Sequence, residues 1–230
     1  MCFSATASFT ASAVLGTTSL TALSLSRSRP QKILAGIPLL FALQQFTEGI
    51  LWLALMHNDW AQWQKPAMYG FLFFAQMLWP VYVPLSMLLF ETDMVKKKII
   101  NMLLGFGILF ALYIGWCLYR YPVAAYIDAH HIRYDLGFAL SRKWYYGLLY
   151  FVPTILSPVI SSVKRLHLLG YLFLGAYIVA RLLFHFYVIS VWCFLGAIIS
   201  IIIIGIIVKM NKQDDEKQPA KKPSGGLRNI

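Results

Sequence analysis

The chain has 230 residues, of which 59% are hydrophobic and only 13% charged, with a mean hydropathy of +0.66. That balance excludes an ordinary soluble globular domain, whose apolar share is roughly 45–50%. The formal charge of +11 does not point to nucleic acid either, because the basic residues stand at the ends of apolar runs instead of forming a groove interleaved with polar surface.

Apolar runs fall at Ser4–Ser26, Ile33–Met56, Ala67–Phe90, Ile99–Leu118, Trp144–Ser161, Leu168–Tyr187 and Val188–Val208. Each approaches the ~20 residues that a bilayer-crossing helix needs, so the sequence predicts an all-α polytopic membrane helix bundle of about seven transmembrane helices. The sixth and seventh runs are nearly continuous, and their boundary is placed near Tyr187. Residues 1–208 are expected to form the transmembrane domain. Residues 209–230, polar and of mixed charge, are expected to be a disordered basic cytoplasmic tail.

Orientation follows from the flanking Lys and Arg. Arg27, Arg29 and Lys32 follow the first run; Lys96, Lys97 and Lys98 follow the third; Lys164 and Arg165 follow the fifth; Lys209 and Lys212 follow the seventh. The positive-inside bias puts these flanks in the cytoplasm, with the amino terminus outside and the carboxy terminus inside. The connection between the fourth and fifth runs dissents, since it carries Arg120, Arg133, Arg142 and Lys143.

The first run is mostly Ala, Ser, Thr and Gly, which suits a tightly packed helix or a hydroxyl-lined wall. Within the remaining runs, Glu48, Arg181 and His185 are the ionisable groups set deepest in apolar sequence. Such groups are costly in hydrocarbon unless they pair or line a wet cavity. Glu48 follows Gln44 and Gln45 on one helix face, and Arg181 and His185 are stacked four residues apart. With alternating helix directions, Gln76, Ser190 and Cys193 reach the same outer half, and Cys2 begins the first run there. A site opening toward the extracytoplasmic side is expected. An ion pair of Glu48 with Arg181 that clamps two helices is the structural alternative.

Cys2, Glu48 and His185 supply a thiolate, a carboxylate and an imidazole, a set that zinc accepts with a fourth position left for water; Arg181 would then stabilise developing negative charge. That reading makes the protein a metal-dependent membrane hydrolase acting on a lipid or small amphiphile. The other class is a non-enzymatic binder or carrier of a small ligand, ion or haem, with Gln44, Gln45, Gln76, Ser190 and Cys193 lining the pocket. The adjacent His130 and His131 are expected in a solvated loop.

The opening MCFSATASF, the segment LLFALQQFTEG and the segment SVWCF together resemble an uncharacterised bacterial integral membrane family whose members begin MCFSA and carry a Gln-Gln-x-x-Glu-Gly motif in the second helix. Here that motif falls on Gln44, Gln45, Glu48 and Gly49. The resemblance implies the bacterial inner (cytoplasmic) membrane and supplies no reaction.

Overall fold

A computed structural model describes residues 4–128, 130–184 and 187–217. Seven helices follow one another among these residues: α1 (Ala5–Leu25), α2 (Arg29–Met56), α3 (Asn58–Phe90), α4 (Met94–Arg120), α5 (Tyr146–Ile160), α6 (Lys164–Leu183) and α7 (Val188–Glu216). Five of them, α2, α3, α4, α6 and α7, are long and apolar enough to cross a membrane. The chain is a multi-pass membrane protein by that criterion. The other two fall short for different reasons: α5 has only 15 residues, and α1 is diluted by hydroxyls that bond back to their own helix, as Thr18 does to the Val14 carbonyl (2.7 Å).

Local chemistry sets the helix ends. Ser4 caps α1 by accepting from the Ala7 N–H, and Ser28 and Gln31 form a capping box at the start of α2 with Pro30 in its first turn. Asp93 caps α4, accepting from the Val95 and Lys96 N–H groups (both 2.9 Å).

The faces turned outward are apolar. On α4, Met102, Leu109, Leu112 and Tyr119 are 64–84% exposed, which water would penalise and lipid does not. Inside, α1 packs along α2, and α7 lies across both. Helices approach closely where glycine permits it. A Cβ at Gly49 would fall 2.7 Å from the Phe9 ring, so the glycine of the Gln-Gln-x-x-Glu-Gly motif seats α1 on α2. Gly107 of α4 lies directly on the Pro80 carbonyl of α3. Pro84 has no N–H to give that carbonyl, and only a glycine leaves room for the backbone contact.

Two features depart from the expected all-helical chain. The connection between α4 and α5 holds an antiparallel hairpin, β1 (Val123–Asp128) paired with β2 (His131–Leu136), in register Val123↔Leu136 to Asp128↔His131. Its strands are rich in β-branched and aromatic residues, and Ala125, Ile132 and Leu136 are buried. The expected tail boundary at Lys209 also moves. Helix α7 continues through Lys212 to Glu216, because Asn211 donates to the Leu25 carbonyl (2.8 Å) and accepts from Gln31 (3.0 Å), and Asp215 pairs with Arg27 (2.5 Å). Propensity alone would not hold these polar residues in a helix; anchoring to the turn between α1 and α2 does.

Candidate functional site

A cavity of about 580 Å³ opens at the hairpin end of the bundle. Helices α3, α5, α6 and α7 and strand β2 each contribute to its wall. The amide of Gln76 reaches it from a π-helical segment, Phe73–Leu78, in the middle of α3. Widened turns of this kind re-aim side chains and recur at functional sites. Gln76 Oε1 accepts from the Tyr146 hydroxyl at 2.5 Å.

The floor is polar. Ser190, in the first turn of α7, lines the cavity and donates to Glu48 Oε1 (2.6 Å); the other carboxylate oxygen, Oε2, accepts from the Gln45 amide (3.4 Å). All three groups are fully buried. Gln44 lies beside them, its Oε1 accepting from the Trp79 indole N–H (2.9 Å) and its amide nitrogen buried without a hydrogen-bond partner among the described residues. Cys193 also lines the cavity. A buried carboxylate is tolerated here because hydrogen bonds reach both of its oxygens.

The mouth is cationic. Arg133, Arg142, Lys143 and Arg181 line it against the single carboxylate of Asp135. The walls between mouth and floor are aromatic: Tyr134, Tyr146, Tyr150, Phe151, Tyr177 and Trp192. The hairpin forms part of the cover. His131 is 7% exposed and stacks on Tyr187 (centroids 4.5 Å, planes at 20°) with its edge toward Phe184, instead of lying in a solvated loop. Burial holds its imidazole below the ordinary value of 6.5.

Gln76, Arg181, Ser190 and Cys193, assigned to one depth from the sequence, therefore share one cavity, with Glu48, Gln45 and Gln44 directly behind its floor. Arg181 is shallower than its apolar surroundings suggest. Helix α6 ends at Leu183, so Arg181 occupies an exposed position in the last turn, where the helix dipole favours a cation. Ion pairs among the described residues include Arg27–Asp215 and Arg133–Asp128. Glu48 and Arg181 each make further interactions. Of the zinc set, Cys2 and His185 lie outside the described residues, and among the described residues no group of three or more His, Cys, Asp or Glu side chains converges on a point.

Sequence reasoning missed Tyr146, Tyr150, Tyr177 and Trp192, because aromatic residues near helix ends read equally well as an interfacial belt. It also took Arg133, Arg142 and Lys143 for a topological anomaly. Their clustering in one connection was the available signal.

The architecture defines a multi-pass helical membrane protein with a polar-floored, aromatic-walled cavity at one end of the bundle. The chain belongs to a family of unknown function, DUF6629, whose model matches residues 1–219. No curated protein and no solved structure matches it.

Proposed function

We propose that this is a seven-span protein of the bacterial cytoplasmic membrane, with its amino terminus outside and its tail inside, that binds a small anionic ligand in the outward-facing cavity. The observation that carries the ligand reading is the charge at the mouth, where Arg142, Lys143 and Arg181 join Arg133, itself paired with Asp128, and the lining holds one acidic side chain, Asp135. Cations clustered at a low-dielectric concavity focus field lines and raise the local concentration of anions. Aromatic walls accept the apolar part of such a ligand. Arg27, Lys32, Lys97, Arg165 and Lys209 flank the helices at the opposite end, which supports the orientation. The connection that dissents from that bias dissents because its cations serve the cavity.

Two measurements test this. Cysteines introduced at Asn58 should react with an impermeant thiol reagent outside the cell, and cysteines at Lys97 should not; the reverse pattern overturns the orientation. Purified protein in a neutral detergent should be stabilised by dodecyl phosphate, by about 2.7 kcal/mol at a hundred times its Kd, and not by dodecyltrimethylammonium. Equal stabilisation by both overturns the anion reading. Stoichiometric zinc in the purified protein would replace it with metal-dependent hydrolysis centred on Cys2, Glu48 and His185.

A further inference from the structure

Tyr150 is a buried polar group in the wall of the cavity. It is 4% exposed and lines the cavity, yet its hydroxyl has no hydrogen-bond partner among the described residues. Burying a hydroxyl without a partner is unfavourable, and the neighbouring Tyr146 shows the alternative by bonding Gln76. The two tyrosines lie on the same face of α5, Tyr150 one helical turn or ~6 Å from Tyr146.

Beyond Tyr150 the chemistry changes. A second cavity, of about 30 Å³, shares Trp192 and Cys193 with the first and is otherwise lined by Phe41, Trp79, Phe173 and Gly196 together with Val83 and Thr154. Its polar-capable liners are already engaged. The Thr154 hydroxyl donates to the Tyr150 carbonyl (2.9 Å), the Trp192 indole to the Phe173 carbonyl (3.1 Å) and the Trp79 indole to Gln44 (2.9 Å). What remains is an apolar recess. A Cβ added at Gly196 would fall 3.0 Å from the Phe41 ring, so the glycine keeps that recess open.

The cavity thus offers cations at the mouth, the Tyr150 hydroxyl in its wall, and an adjoining apolar recess that shares Trp192 and Cys193 with it. We infer that the ligand is a single-chain acylated amphiphile whose anionic headgroup sits at the mouth, whose acyl carbonyl oxygen accepts from Tyr150, and whose chain ends in the recess beside Gly196. This rests on the anionic-ligand reading above and names the ligand's class.

Lauroyl lysophosphatidic acid and its dodecyl ether analogue differ at the carbonyl and keep the same headgroup, so the pair isolates the Tyr150 contact. The wild-type protein should bind the ester about three- to tenfold more tightly, the worth of one hydrogen bond. Tyr150→Phe should erase that preference while leaving the ligand-free unfolding temperature unchanged or higher, because the variant removes an unsatisfied buried group. A tyrosine that served packing alone would leave the ester preference unchanged in the variant, because phenylalanine keeps the ring. Equal binding of ester and ether by the wild type overturns the Tyr150 assignment, even where dodecyl phosphate binds and the anionic-ligand reading stands. A second variant covers failure of the first to fold. In the wild type, affinity across octanoyl, decanoyl and lauroyl chains should rise by about fourfold per methylene until the recess is filled, and Gly196→Ala should bring the plateau to a shorter chain. An unchanged length profile overturns the path into the recess.

Discussion

The two ends of the bundle are both polar, and they differ in whether the protein satisfies its own polar groups. At the tail end the networks around Gln31 and Glu91 close, and Arg165 Nη1 is the buried side-chain atom of that flank without a hydrogen-bond partner among the described residues. Gln31 Oε1 accepts from the Arg27 and Ser28 N–H groups, its amide donates to Asn211, and Asn211 donates to the Leu25 carbonyl. Glu91, between α3 and α4, likewise accepts from the Thr92 and Asp93 N–H groups (both 2.9 Å) and from the Ser162 N–H beyond α5 (2.7 Å). At the hairpin end a large cavity intervenes, the cations of its lining outnumber the carboxylates, and the Tyr150 hydroxyl has no hydrogen-bond partner among the described residues. A closed network fixes helices against one another. An open one leaves interaction free energy for something else to supply.

If that contrast is correct, damage to the closed end should appear in stability and damage to the open end in binding. Asn211→Leu should have the largest effect, because it takes their Asn211 partner from both the Gln31 amide nitrogen and the Leu25 carbonyl; roughly 2–4 kcal/mol of stability should be lost, read as a lower unfolding temperature with dodecyl phosphate affinity unchanged. A parallel fall in affinity would show that the two ends are coupled.

Glu91 comes next. Burial alone would raise its carboxyl, but the backbone donors from Ser162, Asp93 and Thr92 outweigh burial and hold it below the ordinary value of 4.5. A depressed carboxyl contributes stability that is present above its unfolded value and lost as pH falls through the folded one. Acid unfolding should therefore have a component below about pH 4.5 that Glu91→Gln removes, with about 1.5–3 kcal/mol lost at neutral pH, the worth of a charged hydrogen bond. Identical acid profiles for wild type and variant would remove Glu91 from the clamp.

At the hairpin the sign is similar and the group different. Burial keeps His131 neutral, so protonation favours the unfolded or detached hairpin. Stability of the cover is expected in full above about pH 6.5 and to fall as the pH drops below that ordinary value. Lower amide protection factors in β2 at pH 5.5 than at pH 7.5, after correction for the intrinsic exchange rate at each pH, would show it, and His131→Phe should abolish the difference. The smallest stability effect belongs to the mouth: Arg142→Ala with Lys143→Ala should change stability by no more than about 0.5 kcal/mol yet weaken dodecyl phosphate binding up to about tenfold at low salt, less at high salt. Loss of stability without loss of affinity there would invert the comparison.

Much of the helical layout was legible because lipid imposes a length and a composition on whatever crosses it. The break near Tyr187 falls where the sequence placed it, between α6 and α7. Depth, counted along helices of alternating direction, was enough to bring Gln76, Arg181, Ser190 and Cys193 together. The hairpin was not legible: its short strands sit in a long connection where no apolar periodicity extends far enough to announce them. Nor did charge announce that the Ser190 hydroxyl, in the first turn of α7, would donate to the Glu48 carboxylate.

The sequence by itself determined that the chain carries helices long and apolar enough to cross a membrane, which polar residues stand within them, and which flanks carry the charge, because those properties depend on composition and on distance along a helix. Only the tertiary structure decided that Tyr150 would be buried without a partner while Tyr146 found one, that the misplaced cations of the fourth connection would ring a cavity, and that α7 would extend past Lys209. Each of those outcomes turns on which helix faces which and on how closely glycine lets them approach, and neither follows from any single segment read alone.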